Sequence, residues 1–438
     1  MTEEKKKLSN WGNFPSIQAR EFSVFGNEQI KKLLQNPHQI LARGNGRCYG
    51  DAALNEHVIS TLQLKHFLAF DESEGTITCE SGVLFSDILN LVVPKGFFLP
   101  VTPGTKFITV GGAIAADIHG KNHHKEGCFS EFVTTFKIMI DSGEILTCSR
   151  SENPGIFWDT IGGMGLTGVI LEATFKLKPI ENSYICVESI KAKNLSEIMA
   201  LFEASKDWTY TVAWIDCLQK GDKMGRSILM RGEHATSEQL SEKQAKNPLL
   251  PSPKKFVKIP FNFPGFALNT WSVKLFNWFY YHKQVSKVVK STVHFEPFYY
   301  PLDTVLEWNR IYGASGFIQY QFVIPLEAGE NAMREILEEI AESKQGSFLA
   351  VLKLFGAANE KAHNSFPIEG YTLALDFKVN KRLYNLVPKL DAIVKKYSGR
   401  IYRAKDSLSD SSLTNYVQAN TTKFNSIQNQ RIKEQETV

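Results

Sequence analysis

The stretch GGMGLTGVILEATF, starting at Gly162, constrains this chain more than any other, because a GxGxxG (Gly163 to Gly168) runs into the wrong periodicity. In a Rossmann fold that turn opens a helix whose N-terminus holds a pyrophosphate. Here Ile170, Glu172, Thr174 and Lys176 alternate with Val169, Leu171, Ala173, Phe175 and Leu177, which predicts a strand. The pattern argues against a dinucleotide helix, so any bound nucleotide must be held by other glycines.

Two further stretches supply them. Ala42-Arg43-Gly44-Asn45-Gly46-Arg47-Cys48-Tyr49-Gly50-Asp51-Ala52 follows the short apolar run Gln39-Ile40-Leu41. Glycines this closely spaced let several backbone N–H groups converge on one anion; the competing reading is a hairpin turn. The second stretch, residues 103–124, sets Gly104, Gly111 and Gly112 among Ala113, Ala115 and Ala116, so backbone can approach something large and flat. Together they favour a phosphate-bearing cofactor. His119 and His123 stand four apart with His124 adjoining, but Gly120 and Asn122 interrupt a metal-binding helix, so a polar pocket wall is expected and no metal is assigned.

A length of 438 residues suits two or three domains, and a net charge of +4 creates no whole-protein field for nucleic acid. Up to Pro179 the chain reads as short strands and glycine turns around one helix, roughly Leu84 to Val93; longer mixed segments follow. Six cysteines without a CxxC pair are expected to be reduced thiols. The N-terminus lacks an apolar run of secretory type and no window reaches ~18 uninterrupted apolar residues, so the expected compartment is the cytoplasm.

Residues 256–281 are unusual in placing Trp271, Trp278, Phe279, Tyr280 and Tyr281 behind a lysine- and proline-bearing stretch, SEKQAKNPLLPSPKKFVK. Two readings stand: a loop followed by amphipathic cover, or a peripheral membrane contact on lipid headgroups.

The runs ARGNGRCYGD, PGTKFITVGGAIAADIHGKNHH and FWDTIGGMGLTGVI resemble the flavin-binding domain of the vanillyl-alcohol-oxidase, or PCMH-type, family. LSNWGNFP, FYYPLDTVLEWNRIYGASGFIQYQFVIP, KLFG, SFPIEGYTLALDF and IYRAKDS extend the resemblance, in order, from about Leu8 to Ser407 and toward one subfamily. The resemblance implies an α+β fold: an FAD-binding domain over residues 1–182, a substrate or cap domain over 183–400, and a return to the first domain over 401–438. Carried over by motif, Arg43, Gly44, Asn45, Gly46, Arg47, Cys48, Tyr49, Gly50, Asp51 and Ala52 would cradle the FAD pyrophosphate. Gly104, Thr109, Val110, Gly111, Gly112, Ala116 and His119 would line the cofactor, with Ile170 and Tyr402 on its far side. Many members bond the flavin covalently through a histidine in the first motif; Arg47 stands there, which implies non-covalent FAD.

The implied activity is oxidation of a sugar secondary hydroxyl, the 2-OH of a polyprenyl-phosphoryl ribose or related lipid-linked sugar, with hydride passing to flavin N5. A cell-wall polysaccharide precursor is the implied product line, with a short-chain reductase partner taking the 2-keto product onward. The alternative is a soluble sugar or aldonolactone oxidase of the same fold. Lys405, Tyr49 and His119 are the implied catalytic groups, and Lys121, Gln321, Lys353 and Lys405 the implied substrate contacts. Lys405 could act as base if neutral or as an anchor for phosphate if charged. A mycobacterial member carries a cysteine where this chain has Ala374, and after Ser412 the chain follows the family only loosely.

Overall fold

The alternation after Gly168 does form a strand, Val169–Lys176, at the middle of a five-stranded antiparallel sheet. The structure, a computed structural model, describes residues 1–251, 256–414 and 422–436. Strand order in that sheet is Phe67–Asp71, Thr76–Glu80, Val169–Lys176, Val133–Met139, Ile145–Ser149. The helix Phe85–Val92 places Phe85, Ile88, Leu89 and Val92 on one stripe, all buried in the core behind this sheet. A second, four-stranded sheet orders Thr2–Ser9, Ser16–Ser23, His57–Ser60 and Leu41–Arg43, the last three strands running parallel. The first glycine stretch therefore leaves the C-terminal end of a short parallel strand.

Residues 184–401 build an eight-stranded antiparallel sheet. Its order is Val288–His294, Tyr184–Ala192, Ser227–His234, Tyr210–Ile215, Ala350–Phe355, Gly370–Lys378, Phe317–Pro325, Arg400–Ile401. Side chains alternate between faces along a strand, and here the alternation separates two environments. Leu352, Leu354, Leu373, Leu375, Phe322 and Ile324 join a core with the helices Leu195–Glu203, Gly329–Ser343 and Lys381–Lys396. The intervening residues Val351, Lys353, Thr372, Ala374, Asp376, Gln319 and Gln321 face a cavity. After Arg400–Ile401 the chain goes back to the first sheet, where Phe424 bridges Ile40 and the Ile427 N–H donates to the Leu54 carbonyl at 2.8 Å. Lys254 and Lys255 of the lysine-bearing stretch, and residues 415–421 of the divergent ending, lie outside the described residues.

Candidate active site

A cavity of about 780 Å³ lies between the glycine turns of the first part and the open face of the large sheet. Arg43, Gly44, Asn45, Gly46, Arg47, Cys48, Tyr49 and Ala52 line part of it. Gly104, Thr109, Gly111, Gly112, Ala116, His119, Ile170 and Tyr402 continue the wall, and Lys121, Gln321, Lys353 and Lys405 line it too. Met164, Gly165 and Gly168 of the opening glycine motif also line it. Trp214, Met230, Phe276, Tyr280 and Phe348 add a largely aromatic stretch of wall.

Gly50, Asp51 and Val110, expected to touch a cofactor, stand behind the wall. A Cβ on Gly50 would collide with the Asp406 carbonyl, so this glycine serves close backbone approach. Asp51 is buried against Arg431, whose Nε donates to Oδ2 at 2.9 Å. Val110 is fully buried in the core. His124, read as part of a polar wall, instead pairs Nε2 with the Trp208 carbonyl at 2.7 Å, and His123 packs its ring 4.4 Å from that of Phe355.

The lysines occupy distinct positions on this scaffold. Lys353 projects from the strand Ala350–Phe355 opposite Thr372, and burial lowers its pKa to about 8. Lys121 donates to the Tyr299 carbonyl at 3.4 Å; burial and then the charge of Lys353 lower it to about 7. Lys405 sits in a turn closed by its own N–H to the Tyr402 carbonyl at 2.9 Å, with Nζ 3.9 Å from the centroid of the Tyr49 ring. Burial lowers it to about 7 against the opposing pull of Asp376. Three cations that share a low-dielectric cavity disfavour one another's charge, so a bound anion would recharge them.

Asp376 is a buried acid of the cavity wall that motif reading did not assign. Gln319 Nε2 donates to its Oδ1 at 2.6 Å and the Tyr312 hydroxyl to its Oδ2 at 3.2 Å, while burial raises its pKa to about 7. The signal was present: Thr372, Ala374 and Asp376 share one face by period two, and Asp376 pairs in register with Gln319. His119 is neutral, pushed well below its ordinary pKa by burial first and then by Lys353, His123 and Lys405. Gln321 Nε2 donates to His119 Nε2 at 3.0 Å and to Thr372 Oγ1 at 3.3 Å, which puts the imidazole proton on Nδ1.

Residues 28–149 match the FAD binding domain family. The chain is 36% identical over 414 residues to the decaprenylphosphoryl-beta-D-ribose oxidase of Mycolicibacterium smegmatis, spanning 92% of this chain and 89% of that relative. The chain belongs to the decaprenylphosphoryl-β-D-ribose oxidase family. An uncharacterized Streptomyces coelicolor protein from the mprA 5′ region is 31% identical over 330 residues, 73% of this chain and 88% of its own. A D-lactate dehydrogenase of Anaerostipes hadrus is 31% identical over only 148 residues, 33% of this chain and 31% of its own. Similarity to this last relative is thus confined to part of the chain, whereas the match to the decaprenylphosphoryl-ribose oxidase spans 92% of it.

This member of the decaprenylphosphoryl-ribose oxidase family is an FAD-dependent oxidoreductase of PCMH-type α+β fold, and its cavity fits the cofactor. Among the described residues, no acceptor takes the backbone N–H groups of Gly44, Asn45, Gly46, Arg47 or Cys48. Consecutive unpaired donors that curve through Gly46, at φ +61°, form the kind of nest that binds phosphate. A Cβ on Gly104 would meet no atom within 4 Å and would stand in the cavity itself. Ser81 Oγ and His119 Nδ1, both buried, have no partner among the described residues, as expected of groups that a bound polar ring system satisfies. The cradle is braced from behind: Arg43 donates to the carbonyls of Ser9 and Ala53, each at 2.8 Å, and Asn45 Nδ2 to that of Phe107 at 2.7 Å.

Proposed function

We propose that this enzyme holds FAD non-covalently and oxidises the 2-hydroxyl of a polyprenyl-phosphoryl ribose or a related lipid-linked sugar. The observation that carries the reading is one cavity lined by three chemistries: a glycine nest, the lysines Lys121, Lys353 and Lys405, and an aromatic stretch. Each suits one part of the ligand set, namely cofactor phosphates, a sugar bearing an anionic ester, and an apolar tail. The substrate named for the M. smegmatis relative has these last two parts.

When bound, FAD would supply the two-electron acceptor for the hydride that leaves the sugar carbon. Lys121 and Lys353 bind the phosphate, which restores their charge and orients the sugar. Lys405 Nζ takes the hydroxyl proton, since a lysine at about pH 7 is partly neutral there and Asp376 stabilises the ammonium that forms. Gln321 fixes the His119 tautomer and so leaves Nδ1–H, which has no partner among the described residues, to donate to a bound ligand. Arg47 lies with its guanidinium 4.0 Å over the Trp11 ring, a charge held by stacking in the place where many PCMH-type enzymes bond the flavin through histidine. The 2-keto product would pass to a separate short-chain reductase.

Anaerobic addition of a polyprenyl-phosphoryl ribose to the purified enzyme tests this reading. Bleaching of the flavin absorbance is expected, and acid precipitation should leave the flavin in the supernatant. Bleaching by soluble aldonolactones alone would replace the lipid-linked substrate with the soluble alternative.

A further inference from the structure

The helix Thr270–His282 has two faces with opposite surroundings. Val273, Asn277 and Tyr280, spaced four and three apart, point inward: Val273 and Asn277 are buried, and Asn277 Nδ2 donates to Asp216 Oδ1 at 2.8 Å. Phe276 and Tyr280 line the aromatic stretch of the cavity, where the Tyr280 ring lies 4.6 Å from that of Trp214. Trp271, Leu275, Trp278 and Phe279 point outward, Trp271 with 81% of its surface exposed. Phe261 and Phe266, ahead of the helix, are exposed as well. Apolar side chains this large and this contiguous rarely stay in water without a partner.

The chemistry of the face selects the partner. Two tryptophans and several phenylalanines stand beside Lys274 and Lys283; neither lysine has a carboxylate partner among the described residues, whereas Lys287 and Lys290 pair with Glu197 and Glu188. Lys283 Nζ lies 3.8 Å from the centroid of the Tyr280 ring, at the edge where cavity and surface meet. Aromatic rings with free ammonium groups match the boundary between headgroups and acyl chains of an anionic bilayer. No helix among the described residues is long and apolar enough to cross a membrane, so contact would be from one side. Firm anchoring holds the face in place: Asn269 caps the helix at the N–H groups of Trp271 and Ser272, and Thr270 Oγ1 donates to the Lys344 carbonyl at 2.7 Å.

We propose that the outward face of Thr270–His282, with Phe261 and Phe266, docks on an anionic lipid surface. It thereby sets the aromatic stretch of the cavity against the bilayer, where a lipid tail can enter past Phe276 and Tyr280. The entry route rests on the lipid-linked reading above; the docking does not.

Sedimentation of the FAD-loaded full chain with vesicles of phosphatidylcholine, with and without phosphatidylglycerol, tests it. The wild type should pellet with the anionic vesicles and be released partly by salt. The triple variant Trp271→Ser, Trp278→Ser, Phe279→Ser should lose about tenfold or more in partitioning while keeping its flavin, as these side chains lie outside the core and the cavity. Wild-type protein that stays in the supernatant, or a triple variant that pellets equally well, overturns the proposal. Self-association through this face without vesicle binding does the same and makes it a protein interface. Docking without flavin bleaching by lipid-linked sugar upholds the membrane surface and sinks only the substrate reading.

Discussion

Lys405 Nζ stands 3.9 Å from the centroid of the Tyr49 ring, with Asp376 as the nearby carboxylate that raises its proton affinity. Burial lowers the lysine and raises the acid, and both are brought to about 7. If neutral Lys405 takes the proton, the rate of flavin reduction by substrate should rise with pH through about 7. Asp376→Asn removes the charge that favours the ammonium, so the inflection should move to lower pH. Lys405→Met should slow reduction by about 10²- to 10⁴-fold. Stopped-flow absorbance across pH reads both effects; an unchanged pH profile in Asp376→Asn would separate the acid from the lysine.

Gly50 shows how the first motif depends on the last. Its Cα faces the Asp406 carbonyl so closely that any Cβ displaces the Lys405 turn, and the neighbouring Tyr49 N–H donates to the Ala404 carbonyl at 3.0 Å. Gly50→Ala should therefore cost about 1–3 kcal/mol of stability through overpacking. It should also lower activity more than a substitution at Gly26, where a Cβ meets nothing within 4 Å. Thermal unfolding and turnover, measured on both variants, make the comparison.

What was readable in the chain was whatever constrains the local backbone. Gly46 needs a left-handed φ, the alternation after Gly168 needs a strand, and the stripe Phe85, Ile88, Leu89, Val92 needs a helix; each leaves a trace in residue type and spacing. Asp376 left only a weak trace, since one acid in an apolar strand acquires meaning from the cross-strand Gln319 and from a lysine delivered by a later loop. Gly50 and Asp51 were read as cofactor contacts because they sit in a glycine-rich motif. Their real partners, Asp406 and Arg431, arrive from the far end of the chain, and no local pattern announces them.

That distant partner makes its own prediction. Arg431 bridges Asp51 at 2.9 Å and Asp406 at 2.6 Å, both carboxylates being buried. Arg431→Met leaves two acids facing each other without a cation, a change that costs about 3–5 kcal/mol for a buried pair. Burial already raises Asp51 to about 6 despite the arginine, and removing the arginine raises it further. An acid whose folded pKa lies above its unfolded value loses stability as pH rises between the two. The gap between wild type and variant should thus be small near pH 4 and widen toward pH 7, as chemical denaturation at several pH values would record.

Cofactor loading should be visible as stability. The unpaired N–H groups from Gly44 to Cys48 and the buried orphans Ser81 Oγ and His119 Nδ1 weaken the empty fold until a ligand meets them. A ligand that binds only the folded state adds about 2.7 kcal/mol at a hundred times its dissociation constant. Protein stripped of flavin should accordingly unfold at lower temperature and recover when FAD is added. Riboflavin, which lacks the phosphates that the nest would hold, should restore little of the loss. Gly46→Val forces a β-branched residue into the left-handed region and drives its Cβ into the Arg43 guanidinium that braces the cradle, so it should abolish the FAD-dependent rise in unfolding temperature. An equal rise with riboflavin and FAD would remove the nest from the binding energy and leave the ring pocket around His119 as the main holder.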